Sequence, residues 1–210
     1  MGNNYNSIAN IYDVLSRVVF GKSIMKAQIF LLKYIPENSK VLIVGGGTGW
    51  ILSELSKMYE KGIEIMYVEK SAKMIALSKQ KNIQHNSVEF INAGIEEFPT
   101  GKKFDIIFTA FLFDNFLPEK IEFVFSKLNQ LLKPNGLWLY ADFMNDKMNS
   151  KWWQKFLLKT MYLFFKITCN IETQQLINMS AYFAGGYNKL SEKYFYSRFI
   201  KSMVYKKAEE

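Results

Sequence analysis

The chain has 210 residues, of which 49% are hydrophobic and 22% are charged. These values are typical of a globular protein and exclude intrinsic disorder as the basis of function. No apolar run reaches the ~18 residues that a membrane-spanning helix needs, and the polar first ten residues show no signal pattern. The sequence therefore predicts one domain in the cytoplasm.

Charge and metal-ligating residues narrow the function further. The single Cys169 and the single His85 exclude an internal disulfide and a metal site built from clustered cysteines or histidines. The net charge is +8, and residues 151–210 hold ten basic but only four acidic side chains. A nucleic-acid surface, an anionic membrane surface and an ordinary solvated face all remain open.

Hydrophobic periodicity predicts an alternation of strands and helices along residues 23–140. Apolar residues three and four positions apart predict helices over 23–34, 50–59, 72–79 and 121–132. Apolar, β-branched runs predict strands over 41–44, 63–68, 88–91, 104–108 and 137–140, with a turn at 133–136 before the last. This order favours a doubly wound, mostly parallel sheet with helices on both faces, which binds ligands at the carboxyl ends of its strands.

The region after residue 150 is less regular. A helix over 173–184 and two closing strands within 191–205 are predicted. Within 151–167, apolar and aromatic residues form one helical face, and Lys151, Lys155 and Lys159 lie on the other. This pattern suits a helix at a membrane interface, a lid over a lipophilic acceptor, or a helix packed on the sheet.

The most specific motif is the glycine-rich turn Gly45-Gly46-Gly47-Thr48-Gly49, directly after the first strand. Glycines there allow a sharp turn and a close approach of main-chain N–H groups to a ligand. The dinucleotide pattern GxGxxG fails because Trp50 stands at its last glycine, and no Gly-Lys pair makes a Walker loop. Glu69 ends the second strand, where a carboxylate would accept hydrogen bonds from a ribose diol.

Residues 41–140 resemble a class I S-adenosylmethionine-dependent methyltransferase. The resemblance starts with the glycine turn and Glu69, and it continues in order through residues 90–99, 104–107 and 131–136. Residues 7–13, followed by the helix over 23–34, are similar to the ubiquinone/menaquinone C-methyltransferase branch. The resemblance implies a Rossmann-like, seven-stranded sheet with a closing antiparallel hairpin, and S-adenosylmethionine as cofactor.

The resemblance also implies roles for individual residues. Gly45, Gly47 and Gly49 would line the methionine part of the cofactor, and Glu69 would hold its ribose. The remaining cofactor contacts would come from Tyr12 in the lid, Ser71, Met74, the main chain of Ile95, and Thr109, Ala110 and Phe111 beside the methyl group. Asp114 is the candidate catalytic residue, and the candidates for acceptor contact are Phe113, Asp142, Trp152 and Trp153.

Three positions depart from the family pattern. Ile43 and Gly94 stand where the family usually has acidic residues, which puts cofactor affinity rather than the fold in question. Glu96 or Glu97 is a candidate to compensate. Asp114 stands where the quinone branch has an arginine, so a quinone acceptor does not follow from the resemblance.

These observations predict one methyltransferase domain over 1–210. It would comprise a helical lid (1–35), a cofactor-binding core (41–140), an acceptor-side helical insertion (144–186) and a closing strand pair (189–207). The predicted reaction is methyl transfer to an oxygen or carbon atom of a hydrophobic or aromatic small molecule, without a metal. The membrane is a further potential partner, through 151–167. The alternatives are a nucleic-acid methyltransferase, which the missing Asn/Asp-Pro-Pro-aromatic segment disfavours, and a non-catalytic binding protein.

Overall fold

A computed structural model describes residues 12–99, 101–144, 152–154, 157, 160 and 176–209; at positions 12, 13, 15 and 16 only the main chain is described. In the described part the helices are α1 (Tyr12–Phe20), α2 (Ser23–Leu32), α3 (Trp50–Met58), α4 (Ala72–Ser78), α5 (Pro118–Leu131) and α6 (Ser180–Phe183). The strands are β1 (Lys40–Val44), β2 (Lys61–Val68), β3 (His85–Ile91), β4 (Phe104–Ala110), β5 (Leu132–Phe143), β6 (Tyr187–Phe195) and β7 (Ile200–Lys207). A short 3-10 helix, Phe113–Asn115, follows β4.

The seven strands form one sheet in the order β3-β2-β1-β4-β5-β7-β6. Strands β1 to β5 are parallel to their neighbours, whereas β7 runs antiparallel to β5 and pairs antiparallel with β6. The doubly wound sheet with a closing hairpin is therefore confirmed. Its carboxyl edge collects the ends of β1, β2 and β4 beside the end of β5.

Both faces of the sheet are covered, as the apolar run of β1 predicts. Leu42 and Val44 pack in a cluster with residues of α5 and α6, and Val41 and Ile43 pack in a second cluster with α2 and α3. Adjacent side chains of a strand point to opposite faces, so a strand apolar at every position has to be buried on both.

Two predicted boundaries are wrong. Strand β5 starts at Leu132, because the predicted turn at 133–136 is an irregularity inside it: the pairing with β4 jumps from Phe104↔Leu132 to Ile106↔Leu137. Helix α5 starts at Pro118, since a proline's fixed φ suits the first turn of a helix.

The helix predicted over 173–184 is also wrong in part. Residues 173–175 lie outside the described residues, and 176–178 are not helical. Asn178 Oδ1 accepts a hydrogen bond from the Ser180 N–H at 3.1 Å, so the side chain stabilises a turn, and only Ser180–Phe183 is helical after it.

Candidate functional site

The glycine turn joins β1 to α3 and needs glycine at alternate positions. Gly45, Gly47 and Gly49 have φ of 68°, 64° and 78°, in the left-handed region that glycine enters without strain. A Cβ on Gly49 would lie 2.5 Å from the Ser78 Cβ, whereas a Cβ on Gly47 would meet nothing closer than the Met74 Sδ, at 3.8 Å. The turn is therefore packed tightly at its end and has room at Gly47.

Glu69 follows β2 and reaches across to this turn. Its side chain is buried, and its Oε2 accepts a hydrogen bond from the Gly47 N–H at 3.1 Å while Oε1 accepts from the Ser71 N–H at 2.8 Å. Burial raises the pKa of Glu69, and the main-chain hydrogen bonds, led by that from Ser71, oppose the rise. Each carboxylate oxygen keeps a second lone pair, so the group can still accept hydrogen bonds from a ligand.

Three further side chains complete this half of the site. Ser71 caps α4 by accepting a hydrogen bond from the Met74 N–H at 3.3 Å, and Met74 is buried beside Gly47. Tyr67, which the sequence analysis missed, donates its hydroxyl proton to the Gly47 carbonyl at 2.9 Å. A tyrosine in the middle of a buried strand was the available signal, because its hydroxyl must find a partner.

The segment after β3 runs beside Glu69. Asn92 Nδ2 donates to the carbonyls of Glu69 and Lys70, at 3.1 and 2.9 Å. Ile95 is buried in the core, so a contact with a ligand would use its main chain, as predicted. Gly94 is also buried, and a Cβ there would lie 2.5 Å from the Glu96 Oε2. Glu96 thus places its carboxylate over Gly94.

The end of β4 forms the border between the two halves. Thr109 is fully buried and its Oγ1 accepts a hydrogen bond from the Trp138 Nε1 at 2.8 Å, so its side chain is committed to the core. Phe111 has φ of 54° and donates its N–H to the Ala141 carbonyl at 2.8 Å. A left-handed conformation is costly for a bulky residue and is found most often at functional sites. Ala110, between them, is half-buried.

Two acidic side chains lie beyond β4 and near the end of β5. Asp142, in β5, is buried; its Oδ1 accepts from the Phe143 N–H at 2.8 Å and its Oδ2 from the Tyr140 hydroxyl at 3.3 Å. Burial raises the pKa of Asp142 to about 7. Burial, followed by the charge of Asp142, raises the pKa of Asp114 well above its usual range. The structure therefore brings together two acids that the sequence separates by 28 positions.

The predicted acceptor-side aromatics fall in different places. Phe113 is buried, with its ring 6.1 Å from the Tyr140 ring. Trp153 is half-buried with its ring 5.5 Å from that of Tyr196. Trp152 is 80% exposed, and its role stays a prediction.

Some predictions cannot be followed to the side chain. The helical conformation at Tyr12 agrees with the predicted lid, but the Tyr12 side chain lies outside the described residues. Residues 151, 155, 156, 158, 159 and 161–167 are also outside them, so the membrane contact of 151–167 stays a prediction. His85 is exposed at the start of β3, away from the carboxyl edge, as predicted.

Two searches of the described residues gave no candidate. Within 12–99, 101–144 and 176–209 no group of three or more histidine, cysteine, aspartate or glutamate side chains is placed to hold a metal ion. Among the helices that the structure describes, none has the length and apolar character needed to cross a membrane.

Comparison with known proteins gives a consistent family. Residues 41–136 match the model of a methyltransferase domain. The chain is 33% identical over 114 residues to a malonyl-[acyl-carrier protein] O-methyltransferase of Halalkalibacterium halodurans, which covers 52% of this chain and 41% of the relative. It is 28% identical over 145 residues to a ubiquinone/menaquinone biosynthesis C-methyltransferase UbiE of Wigglesworthia glossinidia brevipalpis, covering 66% of this chain and 57% of the relative. The chain spans about half the length of these curated relatives.

The fold is shared with solved structures at much lower identity. The N-methyltransferase NodS from Bradyrhizobium japonicum superposes with a TM-score of 0.64 at 12% identity, over 88% of this chain and 94% of that one. At this identity the likeness concerns the fold alone.

Proposed function

Residues 41–136 belong to the class I S-adenosylmethionine-dependent methyltransferases, and from this premise we propose that the protein transfers a methyl group to a small molecule. The proposed acceptor atom is an oxygen or carbon of a hydrophobic or aromatic compound.

The turn between β1 and α3, closed by Glu69, is the observation that supports the cofactor site. Three left-handed glycines and the space at Gly47 allow the close approach of a ligand to the main chain. Glu69 is already fixed by the Gly47 and Ser71 N–H groups, with lone pairs left for two ribose hydroxyls. These residues fit S-adenosylmethionine, with Met74 against the adenine.

S-adenosylmethionine supplies an activated methyl group on a sulfonium that leaves as a neutral thioether. The chain has then to align an acceptor and exclude water. The aromatic residues at the ends of β4 and β5 support an apolar acceptor: the rings of Phe111 and Phe143 are 4.8 Å apart, and Phe113 lies 6.1 Å from Tyr140.

Ligand-induced stabilisation tests the cofactor site. We expect S-adenosylmethionine and S-adenosylhomocysteine to raise the Tm of the purified protein, because a ligand at 100 times its Kd adds about 2.7 kcal/mol to the free energy of unfolding. Glu69→Gln should abolish most of this shift. Glu64→Gln is the matched control, since Glu64 is on the same strand but exposed.

The outcomes are distinct. An absent shift in the unchanged protein would overturn the proposed function, and an equal shift in Glu69→Gln would overturn the role of Glu69. Methyl transfer is then measured with a labelled methyl donor on a panel of apolar phenols, enols and anilines, with nucleic acid as the competing acceptor class.

A further inference from the structure

Asp114 and Asp142 lie at the carboxyl ends of two adjacent parallel strands. Asp142 is the last but one residue of β5, and Asp114 is in the 3-10 helix that follows β4. The two strands pair up to Ala110↔Ala141, so the chain delivers both acids to the same edge of the sheet, next to Phe111. That edge also holds the glycine turn after β1.

Asp142 is held by donors from three directions. It accepts hydrogen bonds from the Phe143 N–H, from the Tyr140 hydroxyl and from the main chain of Phe113. Its residue is only 4% exposed. Asp114 is half-buried, and its Oδ1 accepts from the Asn115 Nδ2 at 2.8 Å; the same Nδ2 donates to the Phe111 carbonyl at 2.9 Å. The more exposed acid thus lies over the strained end of β4.

The two carboxyl groups act on each other. Two nearby carboxyls in a buried site do not ionise together, because the charge on the first raises the cost of the second. Asp142, with more hydrogen bonds to its anion, ionises first, with a pKa of about 7. Asp114 keeps its proton to higher pH, since burial and the charge of Asp142 raise its pKa. Near neutral pH the pair therefore holds one proton and one negative charge.

We propose that Asp114 and Asp142 together accept the proton of a hydroxyl group on the methyl acceptor, so that the protein methylates oxygen, with Tyr140 as the residue that positions Asp142. This inference rests on the proposed function and selects an apolar phenol or enol within it. A proton acceptor is useful for oxygen, because a neutral hydroxyl is a weak nucleophile.

The proposed step balances. The acceptor O–H bond breaks and its proton passes to the pair, which becomes neutral. The oxygen forms a bond to the methyl carbon while the S–C bond of the sulfonium donor breaks, and that electron pair stays on sulfur. One negative charge and one positive charge are lost together, which suits a site with buried carboxyls.

Other titratable groups act on the pair through Tyr140. This tyrosine is on β5 with Asp142; burial raises its pKa well above the usual range, as do the charges of Asp142 and Asp114 and, from β7, Tyr205. Tyr140 therefore remains a hydrogen-bond donor throughout the working pH range. Its hydrogen bond lowers the pKa of Asp142.

The test uses the full chain with Asp142→Asn, Asp114→Asn and Tyr140→Phe, and with Glu119→Gln on the first turn of α5 as a control. S-adenosylhomocysteine should raise the Tm of all four variants as it does for the unchanged protein. This readout separates failure of the inference from failure of the proposed function, because the cofactor contacts lie on β1 and β2.

Infrared spectroscopy of the protein then reads the pair without an acceptor. We expect a protonated carboxyl band near neutral pH, with a titration step at a pH of about 7 that is absent in Asp142→Asn. Tyr140→Phe should move this step to higher pH, an effect that a merely structural role would not produce. A spectrum without the step, or with the step unchanged in Asp142→Asn, would overturn the proposal.

Product analysis on matched apolar phenols and anilines gives the second readout. We expect O-methyl products, a kcat/KM that rises with pH through about 7, and a loss of about 100-fold in Asp142→Asn and Asp114→Asn, as for removal of a general base. Methylation of the anilines in preference, or undiminished O-methylation in both variants, would overturn the assignment.

Discussion

The glycines of the turn after β1 have different structural duties. Gly45, Gly47 and Gly49 share a positive φ, but a Cβ on Gly49 would overlap α4 at the Ser78 Cβ and Cα, 2.5 and 2.7 Å away. At Gly47 the nearest atom is 3.8 Å away. The turn therefore depends on Gly49 for packing and on Gly47 for space near a ligand.

Alanine at these two positions should separate the duties. Gly47→Ala should cost about 1–2 kcal/mol of unfolding free energy, the price of a left-handed alanine. Gly49→Ala should cost clearly more, because α4 must also move. Urea unfolding of the two variants measures the difference, and equal costs would contradict the close packing of Gly49 on α4.

Tyr67 supports the same turn from β2. Tyr67→Phe removes the hydrogen bond to the Gly47 carbonyl, so we expect a loss of about 1 kcal/mol in stability and a weaker affinity for S-adenosylhomocysteine. Tyr34→Phe is the control, because Tyr34 donates to Ser191 Oγ at 2.8 Å, away from the turn. It should lose similar stability but keep the ligand-induced Tm shift. An unchanged shift in Tyr67→Phe would contradict the role given to Tyr67.

The sequence reveals residues that act through local pattern better than residues that meet across the fold. The left-handed conformation of the turn glycines was predictable, because glycine is the residue type that such turns require. The proximity of Asp114 and Asp142 was not, since it depends on how β4 and β5 are paired. Tyr67 was missed because its aromatic ring fits the apolar pattern of a strand, which hides its hydroxyl.

At the scale of elements, α6 shows how little a helix needs if its anchor is good. It has four residues, too few to be stable alone. Phe183 is 1% exposed and stacks on Tyr205 of β7 with ring centroids 4.0 Å apart, and its ring is 5.1 Å from that of Trp138. The helix is therefore fixed by tertiary contacts, which explains why periodicity predicted its limits poorly.

Removal of this anchor should have a large effect. Phe183→Ala is expected to cost about 3–5 kcal/mol, as for a fully buried phenylalanine. Tyr182→Ala, at the half-buried neighbouring position, should cost less. Guanidinium unfolding compares them, and a cost for Phe183→Ala under about 1 kcal/mol would show that α6 is held in another way.

For the whole molecule, the sheet order and the antiparallel closing hairpin were predictable from the alternation of strand and helix patterns. The exact extent of β5 was not, because Leu132 joins the strand through its pairing with Phe104, before the irregularity at Asn135 and Gly136. Pairing between distant segments decides such boundaries, and no local pattern encodes it.

The buried pair of acids makes stability depend on pH. In the unfolded chain an aspartate has a pKa of about 3.9, whereas Asp142 in the folded protein has a pKa of about 7. The stability contributed by its protonated form is complete below the unfolded pKa and is lost as the pH rises through the folded one. The expected loss between these limits is at most about 4 kcal/mol, since one pKa unit corresponds to about 1.4 kcal/mol.

Asp142→Asn should remove much of this dependence. The variant should be more stable than the unchanged protein above neutral pH and differ little at a pH of about 4. Urea unfolding across this range, with Glu119→Gln as control, measures the effect. A stability difference that is the same at both ends of the range would contradict it.

Trp138 has a consequence for how the protein can be observed. Its indole is fully buried, bonded to Thr109 and ringed by Phe125, Phe183 and Tyr187, whereas Trp152 is 80% exposed. Emission from the first should be blue-shifted and shielded from soluble quenchers such as iodide, and emission from the second red-shifted and readily quenched. The chain thus carries an intrinsic optical probe behind the ends of β4 and β5, and quenching of the outer tryptophan leaves that probe readable without a label.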